Sequence, residues 1–346
     1  MTSIGIVANP ASGKDIRRLV SHATVIDNNE KINIVERIVL GAQSLGVDKV
    51  YIMPDSYNIG YRVLDKLKLC EELKCEIEVI EMMRTDSMDD TVSAAKYMEK
   101  TKVGCIVTLG GDGTNRAVAK SVKSTPLITI STGTNNVYPV MLEGTVVGMA
   151  AAAVASGKFD VRLFTARDKV IEIYKNDELK DIALIDAVIS KDVFVGSKAI
   201  WDMETIEKIF VTRSHPASIG FSAVVGCKTI IYAHDDFGAF VDINNGGSFI
   251  TAPIAAGIVD KISAGDPEIL GFSDEYEYVT KNRGTIALDG EREIEFSDNQ
   301  RFVFKIRRNG PLHVNAVRAL ETAQKNGFFI ANNSDVSELF QDNIGR

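Results

Sequence analysis

Cysteine is scarce in this 346-residue chain, and the four present, Cys70, Cys75, Cys105 and Cys227, form no C-x-x-C pair and have no histidine at zinc spacing. A structural zinc site is therefore unsupported, and the thiols read as the reduced ones of a cytoplasmic protein. Positive charge is also short: 39 Lys and Arg against 47 Asp and Glu leave a formal charge of −8. No basic field exists to hold a nucleic-acid backbone or an anionic lipid surface, so neither nucleic acid nor membrane is an expected partner. Long apolar runs are missing. The longest uncharged stretch, residues 124–142, is broken by Pro126, Gly133, Pro139 and the polar pair Asn135-Asn136, which excludes a spanning helix. The opening Thr2-Ser3-Ile4-Gly5-Ile6-Val7 lacks the basic and apolar regions of a signal peptide. Aromatics make up only 7%, yet 45% hydrophobic and 25% charged residues are ordinary for a globular chain. The length allows about two domains with sizeable cores.

Up to about residue 160, short β-rich runs alternate with helical patterns, the order of βαβ units and a mostly parallel sheet. Strands are expected at 3–8, 49–53, 76–81, 103–109 and 126–131, and helices at 30–46, 57–71, 88–100 and 114–123. Residues 144–157, with Ala150 to Ala153 in series, form a small-residue helix suited to close packing. Beyond 160 the texture changes to β-type runs at 168–175, 180–189, 207–212, 228–233, 284–288 and 301–307, the pattern of an antiparallel sandwich or curled sheet. Residues 311–326 read as an amphipathic helix closed by Gly327, and the polar tail after 331 as loosely held. The expected fold class is α/β plus all-β. A Rossmann-like parallel-sheet domain covers 1–160, a β-sandwich-like domain 161–310, and a C-terminal helix and tail, 311–346, return to the first domain.

The strongest chemical signal is Thr108-Leu109-Gly110-Gly111-Asp112-Gly113-Thr114-Asn115-Arg116, set between an apolar strand and a helix. Its glycines allow a turn whose amides approach a phosphate chain, with the helix N-terminus adding positive partial charge. Asp112 beside such a cradle would be repulsive unless it binds magnesium, accepts a proton from an attacking hydroxyl or bonds a ribose; the plain alternative is a tight turn with Asp112 capping the helix. A second loop, Asn9-Pro10-Ala11-Ser12-Gly13-Lys14, nearly matches a P-loop, but Ala8 stands in the place of its first Gly and Asp15 in that of its Ser or Thr. What remains is a set of donors, Asn9, Ser12 and Gly13, and a cation, Lys14, or else a simple Pro10 and Gly13 turn. The third segment, Ser131-Thr132-Gly133-Thr134-Asn135-Asn136, follows another parallel strand and so emerges at the same sheet edge. Three small polar loops at one edge make a nucleotide cleft.

These segments, followed by Leu288-Asp289-Gly290-Glu291, resemble the superfamily of NAD kinases, diacylglycerol kinases and sphingosine kinases, in order along nearly the whole chain. The opening from Ile6 to Leu19 is most similar to the NAD-kinase-like branch that includes acetoin-catabolism protein X. The resemblance implies magnesium-assisted phosphoryl transfer from ATP to a small-molecule or nucleotide substrate, NAD among them, in a cleft between two domains. It implies that Gly110, Gly111, Gly113 and Thr114 lie along the nucleotide, and that Asn9, Thr134, Asn135 and Asn136 line the same cleft. Asp112 would touch the acceptor hydroxyl or the metal. By likeness to the lipid-kinase branch Glu291 would be the general base, with Asp289 on the substrate side; taken alone, Asp289-Gly290 reads as a hairpin turn.

The chain departs from NAD kinases where those carry an Asn-Glu pair: Ile185 and Asp186 stand there, so an acid is kept and an amide lost. That loss weighs against NAD as the acceptor. Their Thr- and Ser-rich substrate loop has no recognisable counterpart in the region of residues 234–247. Arg213 and His215 could supply a cation and an imidazole to an acceptor, or be structural; Trp201 reads as a packing residue. The leading reading is an ATP-dependent kinase. The second is a nucleotide-binding regulatory or accessory protein of acetoin catabolism with weak turnover, and the third a lipid kinase, for which no basic amphipathic segment speaks. A homo-oligomer is left open.

Overall fold

The computed structural model describes residues 1–12, 22–24, 26–191 and 203–330. The tail after 331 and Trp201 lie outside the described residues. The first half alternates strands and helices: β1 (Ser3–Ala8), α1 (Asn28–Gln43), β2 (Lys49–Ile52), α2 (Ile59–Leu69), β3 (Glu76–Val79), α3 (Met88–Thr101), β4 (Cys105–Gly110), α4 (Asp112–Ala119), β5 (Pro126–Ser131) and α5 (Gly144–Ala155). The strands pair in parallel in the order β3-β2-β1-β4-β5, with Ile4 between Val50 and Cys105. Helices cover both faces, which is why the central strands are continuous apolar runs rather than alternating ones. Local chemistry starts the helices: the Asp27, Ser87 and Glu143 side chains accept the Glu30, Asp89 and Val146 amides at the heads of α1, α3 and α5. Between α1 and α5 the small residues work as the sequence reading anticipates. A Cβ on Gly148 would stand 2.2 Å from the Ile38 carbonyl oxygen, and one on Gly41 2.4 Å from that of Thr145.

The second half is antiparallel. It runs β6 (Thr165–Arg167), β7 (Val170–Lys175), β8 (Glu178–Ala183), β9 (Asp186–Ser190), β10 (Ile206–Val211), α6 (Phe221–Gly226), β11 (Phe237–Ala255), β12 (Ile258–Ala264), β13 (Glu268–Gly271), β14 (Tyr276–Val279), β15 (Gly284–Leu288), β16 (Glu291–Phe296) and β17 (Arg301–Arg307). One sheet has the order β12-β11-β10-β9-β15-β16, with β13 also on β11, and the other β14-β17-β7-β8. They pack face to face through Ile171, Ile173, Phe210, Phe240, Ile286, Phe302 and Phe304, with Phe210 and Phe304 stacked at 4.2 Å. The chain then returns: β18 (Leu312–Val314) lies parallel to β5 and antiparallel to β6, and α7 (Ala316–Lys325) follows on the first sheet's α5 face.

Several expectations need correction. The run 180–189 is two strands, β8 and β9, separated at Leu184-Ile185, whose amides turn inward to a buried carboxylate. Residues 228–233 form only an isolated bridge, Ser214 with Ile231. The return segment opens as a strand before Asn315 caps the helix, because residues 312–314 complete the first sheet. The helix over 114–123 begins at Asp112 and ends at Ala119. The long hairpin β11–β12, β13, β14 and β16 were not anticipated: β11 carries Gly246, Gly247 and Pro253, β13 and β14 span only four residues, and β16 opens on three charged residues, so each leaves little apolar periodic signal.

Candidate functional site

The loops after β1 and β4 leave adjacent parallel strands at the point where the sheet order reverses, the crevice in which open α/β sheets take ligands. Backbone and side chains join them. The Asn9 amide donates to the Leu109 carbonyl at 3.1 Å, and Asn9 Nδ2 donates to Thr114 Oγ1 at 2.9 Å. Asn9 Oδ1 accepts the Ala11 amide at 2.8 Å. Lys31, almost wholly buried, clamps this loop from α1, its Nζ donating to the Asn9 and Ser12 carbonyls at 2.9 Å each. The turn over 110–114 leaves no space for side chains: a Cβ on Gly110 would meet Thr114 at 2.5 Å, one on Gly111 the Asn136 Oδ1 at 2.7 Å, and one on Gly113 the Glu291 Oε1 at 2.8 Å. Gly111 caps α4 without a side-chain bond, so the helix N-terminus faces the crevice with backbone amides.

Asp112, the first residue of α4, reaches across to the third loop. Its carboxylate accepts the Val137 amide at 3.1 Å through both oxygens and the Tyr138 amide at 2.8 Å. That loop is fixed in turn: Ser131 Oγ donates to the Gly133 carbonyl at 2.7 Å, and Asn136 Nδ2 to Ser131 Oγ at 2.8 Å. Thr132 Oγ1 donates to Ser12 Oγ at 3.1 Å, while Thr134 Oγ1 accepts the Thr24 amide at 3.1 Å. Asn135 Oδ1 accepts the Ala256 amide at 3.2 Å, which brings the tip of the β11–β12 hairpin over the crevice.

The β-rich half supplies the opposite wall. Asp289 and Gly290, at φ 51 and φ 81, form the two-residue turn between β15 and β16, so the hairpin reading of Asp-Gly is geometrically what is seen. The turn also drives the Asp289 carboxyl inward. It accepts the amides of Leu184 at 3.0 Å and of Ile185 at 2.7 Å. Burial pushes Asp289 up, and the Asp112 charge adds to this; the Arg116 guanidinium and the two amides pull the other way, leaving it at about 6. Asp112, Asn135, Val137, Asp186, Ile219, Phe221, Ile254, Asp289 and Gly290 line one cleft between the two halves. Ile185 faces away into an apolar cluster with Leu184, Tyr138 and Ile182, so the position of the lost amide does not open on the cleft.

Arg116, four residues after Asp112, is the buried centre of the wall. Its Nη2 lies 2.7 Å from Glu293 and 3.9 Å from Glu291, its Nη1 3.2 Å from Asp181 and its Nε 3.7 Å from Asp289. Burial opposes its charge, but these carboxylates raise its pKa above the usual arginine value. Glu291 stands beside Gly113 and this cluster. Arg213 is engaged by Asp168 at 2.9 Å, and His215 Nδ1 accepts the Ala217 amide at 2.9 Å; neither lines the cleft just described. Gly13 and Lys14 fall outside the described residues. Among the described residues no group of three or more His, Cys, Asp or Glu side chains is arranged to hold a metal ion. Arg116, Lys31, Tyr138 and Asp168 were missed from the sequence, where the only signal was an arginine one helical turn beyond the glycine-rich aspartate.

The parallel-sheet domain, the antiparallel β-rich region and the glycine-rich crevice between them define a protein with the NAD kinase fold. Residues 4–159 match the family model described as the ATP-NAD kinase N-terminal domain, and residues 169–309 match the acetoin catabolism protein X C-terminal domain. Over 332 residues the chain is 32% identical to the acetoin catabolism protein X of Cupriavidus necator, covering 92% of this chain and 90% of that one. The chain belongs to the acetoin catabolism protein X family. The crystal structure of yeast NADH kinase complexed with NADH shares its fold, with a TM-score of 0.52 at 14% identity over 96% of this chain and 89% of that one. An NAD kinase from Archaeoglobus fulgidus, crystallised in complex with ATP, matches at a TM-score of 0.42 and 16% identity, over 80% and 96% of the two chains. No helix among the described residues is long and apolar enough to cross a membrane.

Proposed function

We propose that this protein binds ATP along the turn over 110–114 and transfers its terminal phosphoryl group to a hydroxyl of a small acceptor held in the cleft. The observation that carries the proposal is the placement of Asp112 at the head of α4, in the sheet's crevice and in one cleft with Asp186 and Asp289. Phosphoryl transfer asks mainly for positioning and for charge stabilisation. The amides at the N-terminus of α4 and the Asn9 and Thr132 to Asn136 loops offer donors to the phosphates. Asp112 accepts the proton of the attacking hydroxyl, and Asp186 and Asp289 orient the acceptor by accepting from its other hydroxyls. Glu291, beside Gly113, is the second candidate for that proton. Magnesium would enter with the triphosphate and screen its charge, and Asp112 is the carboxylate that would hold it; among the described residues no three His, Cys, Asp or Glu side chains form a cation site of their own. NAD remains the first acceptor to try, although Ile185 provides no amide to it.

A second reading, an accessory protein that binds nucleotide without turnover, is favoured by one observation: both Asp112 carboxylate oxygens already accept backbone amides, from Val137 and Tyr138, and are engaged in holding the third loop. Labelled-phosphate transfer from ATP and magnesium to a panel of NAD, NADH, diacylglycerol and small polyols separates the two. The kinase reading expects transfer to at least one acceptor and a loss of roughly 10²- to 10³-fold in Asp112→Asn with ATP binding kept. ATP binding by calorimetry without any product would establish the accessory reading instead.

A further inference from the structure

We infer that Tyr138 is a positioning residue for Asp112, tying that carboxylate to the ion-pair network where the chain crosses between its two halves. The inference rests on the reading of Asp112 as the reacting carboxylate. The two ends of Tyr138 serve different partners. Its amide donates to Asp112 Oδ1 at 2.8 Å, and its phenol donates to Asp168 Oδ2 at 2.6 Å. Asp168 lies in the outward crossing between β6 and β7, and its amide donates to Pro311 in the return crossing at 3.0 Å. Arg213, just after β10, pairs with Asp168 at 2.9 Å, and His313 of β18 stands 3.2 Å away. The Tyr138 ring packs against His313 at 5.0 Å and beneath the Arg213 guanidinium at 5.3 Å.

The bond persists across the neutral range. Burial works against the Asp168 anion, but Arg213 and His313 hold it below the usual carboxylate range; burial and the Asp168 charge keep Tyr138 protonated far above neutrality. The phenol therefore stops the buried ring from sliding, and the ring sets the plane of the peptide that meets Asp112. Hydrogen bonds weaken steeply as that plane tilts, and a displacement of about 1 Å at a reacting group costs up to about 100-fold in rate.

Tyr138→Phe keeps the ring and removes only the tie. Its turnover should fall roughly 10- to 100-fold with the KM for ATP within about twofold, and hydrogen exchange at the 137 and 138 amides should quicken about tenfold or more while β4 amides stay protected. Asp168→Ala, which removes the acceptor of the phenol, should reproduce both effects. Arg167→Lys is the control: its guanidinium bonds the Lys123 and Gly310 carbonyls at 2.8 Å in the same crossing without touching Tyr138, and it should lower the Tm while sparing turnover and the 137–138 exchange. A Tyr138→Phe protein that loses only stability, with turnover and exchange as in wild type, overturns the inference. If wild type transfers phosphate to no acceptor, the kinase reading falls; unchanged exchange at 137–138 then overturns the tie and faster exchange upholds it.

Discussion

Replacing Arg116 by methionine probes the wall of the cleft directly. The guanidinium is fully buried and faces Glu293 at 2.7 Å, Asp181 at 3.2 Å and Asp289 at 3.7 Å. Asp181 keeps the Lys120 ammonium at 2.9 Å, so Glu293 and Asp289 bear most of the loss. Deleting one partner of a buried ion pair leaves uncompensated charge and costs about 3–5 kcal/mol. The pH dependence follows from Asp289, whose folded value of about 6 lies above its reference of 3.8. Its contribution to stability is full below about pH 4 and is lost as pH rises through about 6. Without Arg116 the folded value climbs further, because the cation was pulling it down, and Asp289 takes up a proton instead of remaining a bare anion. The deficit of Arg116→Met should therefore be partial at pH 5 and reach its full value at pH 8, read from urea unfolding at both. A deficit below about 1 kcal/mol at pH 8, within the range of an exposed pair, or a larger one at pH 5, would refute the electrostatic account.

Two other outcomes test the scaffold. Gly148→Ala places a methyl 2.2 Å from the Ile38 carbonyl of α1, and since backbone must move, a loss of about 1–3 kcal/mol is expected in denaturant unfolding with the fold retained. Glu99 accepts the Ser124 amide at 2.9 Å, the Ser124 hydroxyl at 2.7 Å and the Thr125 amide at 3.0 Å. Burial pushes Glu99 up, but these bonds bring it down to about 2. Its contribution is thus present above about pH 4.5 and lost as pH falls toward 2, and Glu99→Gln, lower by about 1–2 kcal/mol at pH 7, should converge on wild type in acid unfolding. Divergence that grows with acidity would contradict the assignment.

The first half of the fold was legible because its strands are buried on both faces and its helices carry strong formers and caps. Strand β5 and the start of α3 fall where the pattern sets them. The β-rich half was legible only as a texture. Strand β11, 19 residues long and crossed by glycines, is held by its neighbours β10, β12 and β13 rather than by any local preference. In the site, residues 9–12, 110–114 and 131–136 announced themselves because each is contiguous and ends a parallel strand. Asp289 and Asp186 entered only through the family resemblance, and Arg116 not at all, because what matters about them is which partners stand opposite.

The sequence alone determines that the chain is acidic and globular, that its first half is a parallel α/β sheet, and that three small polar loops end its strands. Those are local properties of periodicity, glycine and charge, and they are independent of distant residues. Tertiary structure alone decides that Asp112 is held by the amides of Val137 and Tyr138 rather than left at its own turn. Folding also buries Arg116 among carboxylates drawn from residues 181 to 293, and brings the chain back through β18 to close the first sheet. The physical reason is common to all three. A hydrogen bond or an ion pair depends on distance and on desolvation, and both are properties of packing that no stretch of chain carries by itself.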